Sequence, residues 1–533
     1  MDTLPVLPPE ILLHILSYLP LCDLARCHTI NSTWLDLIRN NQQSLYRRVA
    51  DRNLKDSDLT MSDWLVHGVS EWKEFCRRRH MSHRNWRQGN HLSNWISPPL
   101  RDVWRIKIDE EHNFVMTTSR LGNIYAMDSR TSEILEVIVG VREYAHLEYD
   151  KGFMIFDTHF GNTLEVWRRT EDMSQDGQMS NPTENEASQQ VSSTAFSTRS
   201  LFSLYAEIRC PASIRAYRFV YPILLIGSMS SQSAFLWDIP EKRMVGSIDI
   251  SSANMDLINY VEKTERHILI LGLHYMSVFS LSPHLDPGRQ LHPPYHTLNI
   301  PSVPPSTEFV LDLSLDFLEL QCLTLETRTR RTRRSRRSEG HLSPMRKAIV
   351  WETEGTRAEG AIFASTIDYS FTAAHVSEGD LILTSRLGKI FIVLDYASVF
   401  EDPSLESLHT ICLDVIEPVF NLTFSYGSAV FSTRTQVLII PSGSLPKIQD
   451  IRESVSRKEA GLPSLPLKIE IYSCSNVSAG AALECSSVQA DRTRAMFAYN
   501  TRADPALDGF SPPEARTHSG YSVRVFDFTP PLS

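Results

Sequence analysis

One phrase occurs twice in this chain. TSRLGNIYAMD, Thr118 to Asp128, returns far downstream as TSRLGKIFIVLD, Thr384 to Asp395. Each copy is a short apolar-rich run, a polar turn with a glycine, and a second run, which predicts strand, tight turn and strand. An isolated hairpin is marginal in water, so a chain that repeats one must pack the copies against each other. Weaker copies lie between and after. FDTHFGNTLEVW (Phe156 to Trp167) has a glycine in the same turn, IGSMSSQSAFLWD ends in Trp237-Asp238, and AVFSTRTQVLII covers Ala429 to Ile440. HYMSVFSL, RKAIVWE and YSVRVFDF supply related strand endings, which makes eight candidate units.

The repetition predicts an all-β propeller over residues 99–529, of seven or eight blades. Closing the ring buries the faces of each small sheet and protects the edges. A pair of β-sandwiches is the competing architecture, and the repeated strand–turn–strand weighs against it. Polar or proline-rich stretches near 170–199, 283–307, 326–347 and 441–466 are expected to leave the sheets as disordered surface insertions.

The first hundred residues follow a different grammar. Leu12, Ile15, Leu16 and Leu19 recur at helical spacing after Pro8 and Pro9, which suit a first helical turn. Pro20 is expected to stop this helix, and Asp23 to cap a second, Leu24 to Cys27. Trp34, Leu35, Leu37 and Ile38 form the apolar face of a third. Three short helices cannot hide this much apolar surface among themselves, so part of it is expected to be a docking face. A plain helical bundle packed on the rest of the chain is the alternative. Helix continues to about residue 90, where Trp72, Phe75 and Cys76 share a face beside Arg77, Arg78, Arg79, Arg84 and Arg87. Those arginines are expected to form a solvated helix face.

LPPEILLHILSYLPLCDLARCHTINSTWLDLI resembles an F-box: Leu7-Pro8, Glu10, Leu19, Asp23-Leu24 and Trp34 match the family pattern, while Ile30-Asn31 stands where the family usually has Val-Cys or Val-Ser. WKEFCRRRHMSHRNWRQG resembles the linker of F-box/WD-repeat proteins, and the body resembles a divergent WD propeller. Only one unit ends in Trp-Asp, and no Gly-His dipeptide opens a blade. The resemblance implies an F-box over residues 1–48, a helical linker over 49–98 and the propeller thereafter. It implies a substrate-recognition subunit of an SCF-type cullin ubiquitin ligase. Its adaptor, and through it a cullin, would bind at Leu7, Pro8, Ile11, Leu12, Ile15, Leu16, Leu19, Leu24 and Trp34. The propeller would hold a protein substrate, in this family often a phosphorylated one.

Aligned on the repeat, Arg120, His159, Arg386 and Arg434 occupy one position, the turn between the two central strands. Equivalent turns share one rim of a propeller, and a guanidinium grips phosphate or carboxylate bidentately. Plain solvent-exposed turns are the competing reading of these four positions.

The totals exclude several classes. Net charge is −10, which argues against nucleic acid as a general partner. Eight scattered cysteines without a CxxC pair read as reduced thiols, and no metal-type Cys/His spacing occurs. The first residues lack the basic start of a signal peptide, and no apolar run is long enough to span a membrane. Nucleotide-loop, metalloprotease, serine-hydrolase and kinase motifs are absent, so neither an enzyme nor a cofactor is expected. Seven arginines crowd residues 328–337, Arg328 to Arg337. Dense like charge favours a disordered loop, readable as a nuclear import signal or as a solvated insertion. That run carries the second functional reading, a non-ligase scaffold for nuclear or RNA-linked assembly. Cytoplasm, nucleus or both are the expected locations.

Overall fold

In a computed structural model, the structure describes residues 7–53, 61, 69–88, 92–96, 103–175, 200–228, 231–250, 258–272, 276–281, 289–290, 296–298, 307–310, 321–328, 349–351, 371–405, 409–415, 417–433, 436–462, 468–475, 485–500 and 521–529. The chain divides into two units. One holds residues 1–93 with 491–494 and 526–533; the other holds 94–490 and 495–525.

The first unit is helical. Helix α1 (Pro9–Leu16) starts on proline, and α2 (Leu21–Cys27) follows with Pro20 as its N-cap. Pro20 therefore opens a helix rather than closing one, and the expected cap Asp23 sits in the first turn, where it pairs with Arg26 at 2.9 Å. The α3 helix (Ser32–Asn40) is capped by Asn31, whose Oδ1 accepts the Trp34 N–H at 2.9 Å. Helices α4 (Gln42–Asn53) and α5 (Trp72–Gln88) complete the bundle. Its core is Leu16, Leu24, Ile38, Leu45, Val49 and Phe75. On α5, Arg77 and Arg78 both fork onto Glu74, at 2.7 and 2.6 Å, and hold its carboxyl down to about 2, the Arg77 hydrogen bond being the main cause. Arg78 is buried, so this part of the basic run is bound into the bundle rather than solvated. Within the same unit Trp86 stacks on Phe528 at 3.8 Å and donates its indole N–H to the Arg492 carbonyl.

The second unit is built of seven sheets. Their innermost strands are β1 (Val103–Asp109), β2 (Leu147–Asp150), β3 (Ile214–Val220), β4 (Tyr260–Lys263), β5 (Phe371–Ser377), β6 (Asn421–Ser425) and β7 (Cys485–Ala490). Each touches the next, and β7 touches β1, so the ring is closed. The seventh sheet takes its outermost strand, Leu92–Ile96, from ahead of the first, which ties the two ends of the ring together. This is a seven-bladed propeller.

Seven blades rather than eight have a physical cause. RKAIVWE is not a blade: Ile349–Trp351 pairs in parallel with Gln321–Arg328, which extends the sixth sheet beyond its own four strands. Arg289–Gln290 likewise adds to the third sheet and Thr307–Val310 to the fifth, both in parallel. Segments expected as loose insertions thus cover sheet edges that would otherwise be open. Within 441–466, residues Ile448–Glu459 form helix α6, in the numbering used here, with Ile451 buried against the fifth and sixth sheets. Residues 176–199, and the arginine run beyond Arg328, lie outside the described residues.

Candidate functional site

The apolar stripe of α1 divides in two. Leu16 is 1% exposed and Leu24 is buried; both belong to the core. Leu12, Leu19 and Trp34 are half-buried. Leu7, Pro8, Ile11, Ile15 and Tyr18 face outward, with Tyr18 at 60% exposure. The Arg52 guanidinium lies 3.5 Å from the Tyr18 ring centroid, and its Nη1 donates to the Ser17 carbonyl. That contact pins Tyr18 in its outward position.

On the propeller, three of the four turn residues take equivalent places. Arg120 lies between the second and third strands of the first sheet, His159 in the same turn of the second, and Arg386 in the same turn of the fifth. Arg434 lies outside the described residues. Each described turn is stapled by its own hydroxyl: Ser119 Oγ accepts from Leu121 and Asn123, Thr158 Oγ1 from Phe160, and Ser385 Oγ from Lys389. Gly122 and Gly388 have φ near +80°, and a Cβ would strike the Val141 and Glu417 carbonyl oxygens at 2.2 and 2.6 Å. Gly161 meets no such obstacle, so the second turn repeats the chemistry of the phrase without its backbone constraint. Next to each base stands an exposed apolar residue: Leu121 (71%), Phe160 (73%) and Leu387 (48%). The repeat therefore presents a base and an apolar side chain together, a pairing that the sequence holds as Arg-Leu, His-Phe and Arg-Leu.

Inside the ring the innermost strands carry a chain of ionic contacts that sequence reasoning missed. Lys107 on β1 meets Glu148 on β2 at 3.1 Å, Arg218 on β3 meets the same carboxylate at 3.3 Å, and Arg218 also meets Glu262 on β4 at 2.9 Å. His375 on β5 lies 3.4 Å from Glu262, and its other nitrogen bonds the Tyr260 hydroxyl at 3.0 Å. His146 meets Glu148 at 3.0 Å. Burial pushes the Glu148 carboxyl up, but Lys107, Arg218 and His146 outweigh it and hold the group well below the usual carboxylate range. Burial, then Arg218 and Lys107, keep His375 neutral. The chain links five neighbouring strands and aligns them around the axis.

At the end of β1 nearest the Arg120 turn, Trp104 is an extra residue, a bulge between Val103 and Arg105. Strands β3, β5 and β7 are interrupted at the same end, around Arg215, Thr372 and Ser486. Bulges re-aim side chains. Here the Trp104 ring has Arg105 at 5.1 Å and Arg120 at 5.6 Å, with Tyr144 edge-on at 5.2 Å. Arg105 donates to the Ser486 carbonyl at 3.3 Å and reaches Asn421 Oδ1 only at 3.5 Å. Among the described residues, no carboxylate comes within ion-pairing distance of it.

Residues 4–52 match the family model described as F-box-like. No curated protein sequence matches the chain. Among solved structures, the chain is similar to a computationally designed protein, Ika8, at 10% identity, with 81% of this chain and 98% of that one covered and a TM-score of 0.38. The β-propeller domain of Myceliophteria thermophila Cps50 (Swd1) gives 11%, 82% and 99% coverage and 0.42. Chaetomium thermophilum Raptor gives 11%, 97% and 38% coverage and 0.45. The protein is thus an F-box-like helical region followed by a seven-bladed propeller. F-box domains in general bind adaptor subunits, and propellers in general bind protein partners.

Proposed function

We propose that this chain is the substrate-recognition subunit of an SCF-type cullin ubiquitin ligase, with a divergent WD-type propeller. One observation carries the reading: within the segment matching the F-box-like family, Leu7, Ile11, Ile15 and Tyr18 expose a continuous apolar face that the bundle does not use. The adaptor, and through it a cullin, docks there. The rim with Arg120, His159 and Arg386, each beside an exposed apolar residue, holds a protein substrate. Ubiquitin transfer is then proximity catalysis, in which the receptor sets a substrate lysine near the charged conjugating enzyme and supplies no reacting group. The protein works in cytoplasm, nucleus or both, wherever that ligase assembles.

Co-purification of the full chain with the adaptor tests this. Ile11→Asp with Ile15→Asp should abolish the complex and leave thermal unfolding unchanged, because both side chains face outward. Leu16→Asp should instead unfold the bundle, since it puts a charge in the core. A folded wild-type chain that captures no adaptor would sink the proposal.

A further inference from the structure

Arg105 is the cation of the ring interior without a counter-charge. Lys107 and Arg218 share Glu148, and Arg218 also holds Glu262, so the linked cluster sets three cations, Arg105 included, against two carboxylates. Glu148 is further engaged by His146. Burial pushes the Glu262 carboxyl up, which leans the balance further toward positive. Arg105 Nε is buried and has no acceptor among the described residues, and both Nη1 contacts are long. A buried, uncompensated guanidinium is costly to a fold. Nothing in the ring's construction requires one: Lys107, two residues along the same strand face, is paired.

We infer that Arg105 anchors an anion site at the mouth of the channel, and that a carboxylate or phosphate of an entering ligand supplies the missing charge. The planar fork suits either group bidentately, and its Nε side is the side left open. The Trp104 bulge sets the direction of the fork, and Trp104 with Tyr144 forms an aromatic wall beside it. Arg120 flanks the same indole from the neighbouring turn, so a ligand lying across the rim meets two cations around one ring. The inference does not depend on what the helical region binds, so it can fail or stand apart from the ligase reading.

The test uses the full chain and inorganic phosphate. Thermal unfolding is followed in phosphate and in chloride at matched ionic strength, for wild type, Arg105→Met and Arg105→Lys. Phosphate excluded from protein surface stabilises every variant, so the informative quantity is the excess shift of wild type over Arg105→Met. The expected result is an excess shift in wild type, a smaller one in Arg105→Lys, and about ten- to hundred-fold weaker phosphate binding in Arg105→Met. In chloride, Arg105→Met should melt at or above the wild-type temperature, because an apolar side chain replaces an unpaired buried charge. Equal phosphate shifts in wild type and Arg105→Met would overturn the inference. So would an Arg105→Met protein that melts well below wild type in chloride or fails to fold, because Arg105 would then be a structural cation. Arrays of paired peptides carrying glutamate or phosphothreonine, read against the same variants, then tell which source of the anion the mouth takes.

Discussion

Arg105 and Lys107 stand two residues apart on one face of one strand, and the molecule treats them oppositely. Lys107 has a carboxylate at 3.1 Å that also serves Arg218 and His146. Arg105 has a carbonyl at 3.3 Å and an amide at 3.5 Å. The difference separates wall from mouth. Deep in the ring, charges are spent on joining neighbouring strands; at the end nearest the turns, a charge is kept unspent. A ring that needed only stability would pair both.

The largest expected effect comes from removing the wall's shared carboxylate. Glu148→Gln leaves Lys107 and Arg218 buried with one anion fewer, and loss of one partner from a buried charge cluster costs about 3–5 kcal/mol. Chemical denaturation of full-length wild type and variant measures it. A loss below about 1 kcal/mol would mean that the wall is as dispensable as surface ion pairs are, and the contrast with Arg105 would collapse.

Acid should attack the same wall in two stages. His375 is held neutral, so its folded pKa lies below the unfolded value of about 6.5, and its contribution is present above that pH and lost as pH falls below it. Glu148 is also depressed, so its contribution holds above about 4.3 and is lost on further acidification. Melting temperature should be flat above neutrality, decline between about pH 6.5 and 5, and drop steeply below about 4.3. His375→Gln should flatten the first decline and leave the second. A wild-type profile unchanged from pH 7 to 5 would show that His375 does not couple to folding.

The repeat was legible because its turn chemistry is local: Ser119 and Ser385 staple their own turns, and the phrase spells that out. The site was less legible, for two different reasons. Periodicity placed Ile15 and Leu16 on one stripe, but only the packing of α2 and α3 decides that Leu16 goes inside and Ile15 stays out. Nine residues assigned to adaptor binding therefore divide, and Leu16 and Leu24 belong to the core. In VWRIKI, the polar half of an alternating strand reads as solvent-facing. Ring closure turns that half toward an axis shared by seven strands, where Arg105 and Lys107 meet residues 40 to 380 positions away. No local signal carries that. The extra edge strands were hidden for a related reason, since an outer edge accepts any extended backbone and asks little of its sequence.

The smallest expected effect is also the sharpest test of the contrast. Asn421 Oδ1 already points toward Arg105, so Asn421→Asp would supply the missing counter-charge from within. The amide also donates from Nδ2 to Ser432 Oγ at 3.0 Å and to the Cys485 carbonyl at 2.9 Å, and an aspartate gives up both. A charge-assisted bond gained and two neutral ones lost nearly cancel, so stability should move by less than about 1 kcal/mol. The phosphate response should nevertheless fall to that of Arg105→Met, because the fork is then filled. If Asn421→Asp folds normally and keeps the wild-type phosphate response, the anion does not sit on Arg105, and mouth and wall differ for some other reason.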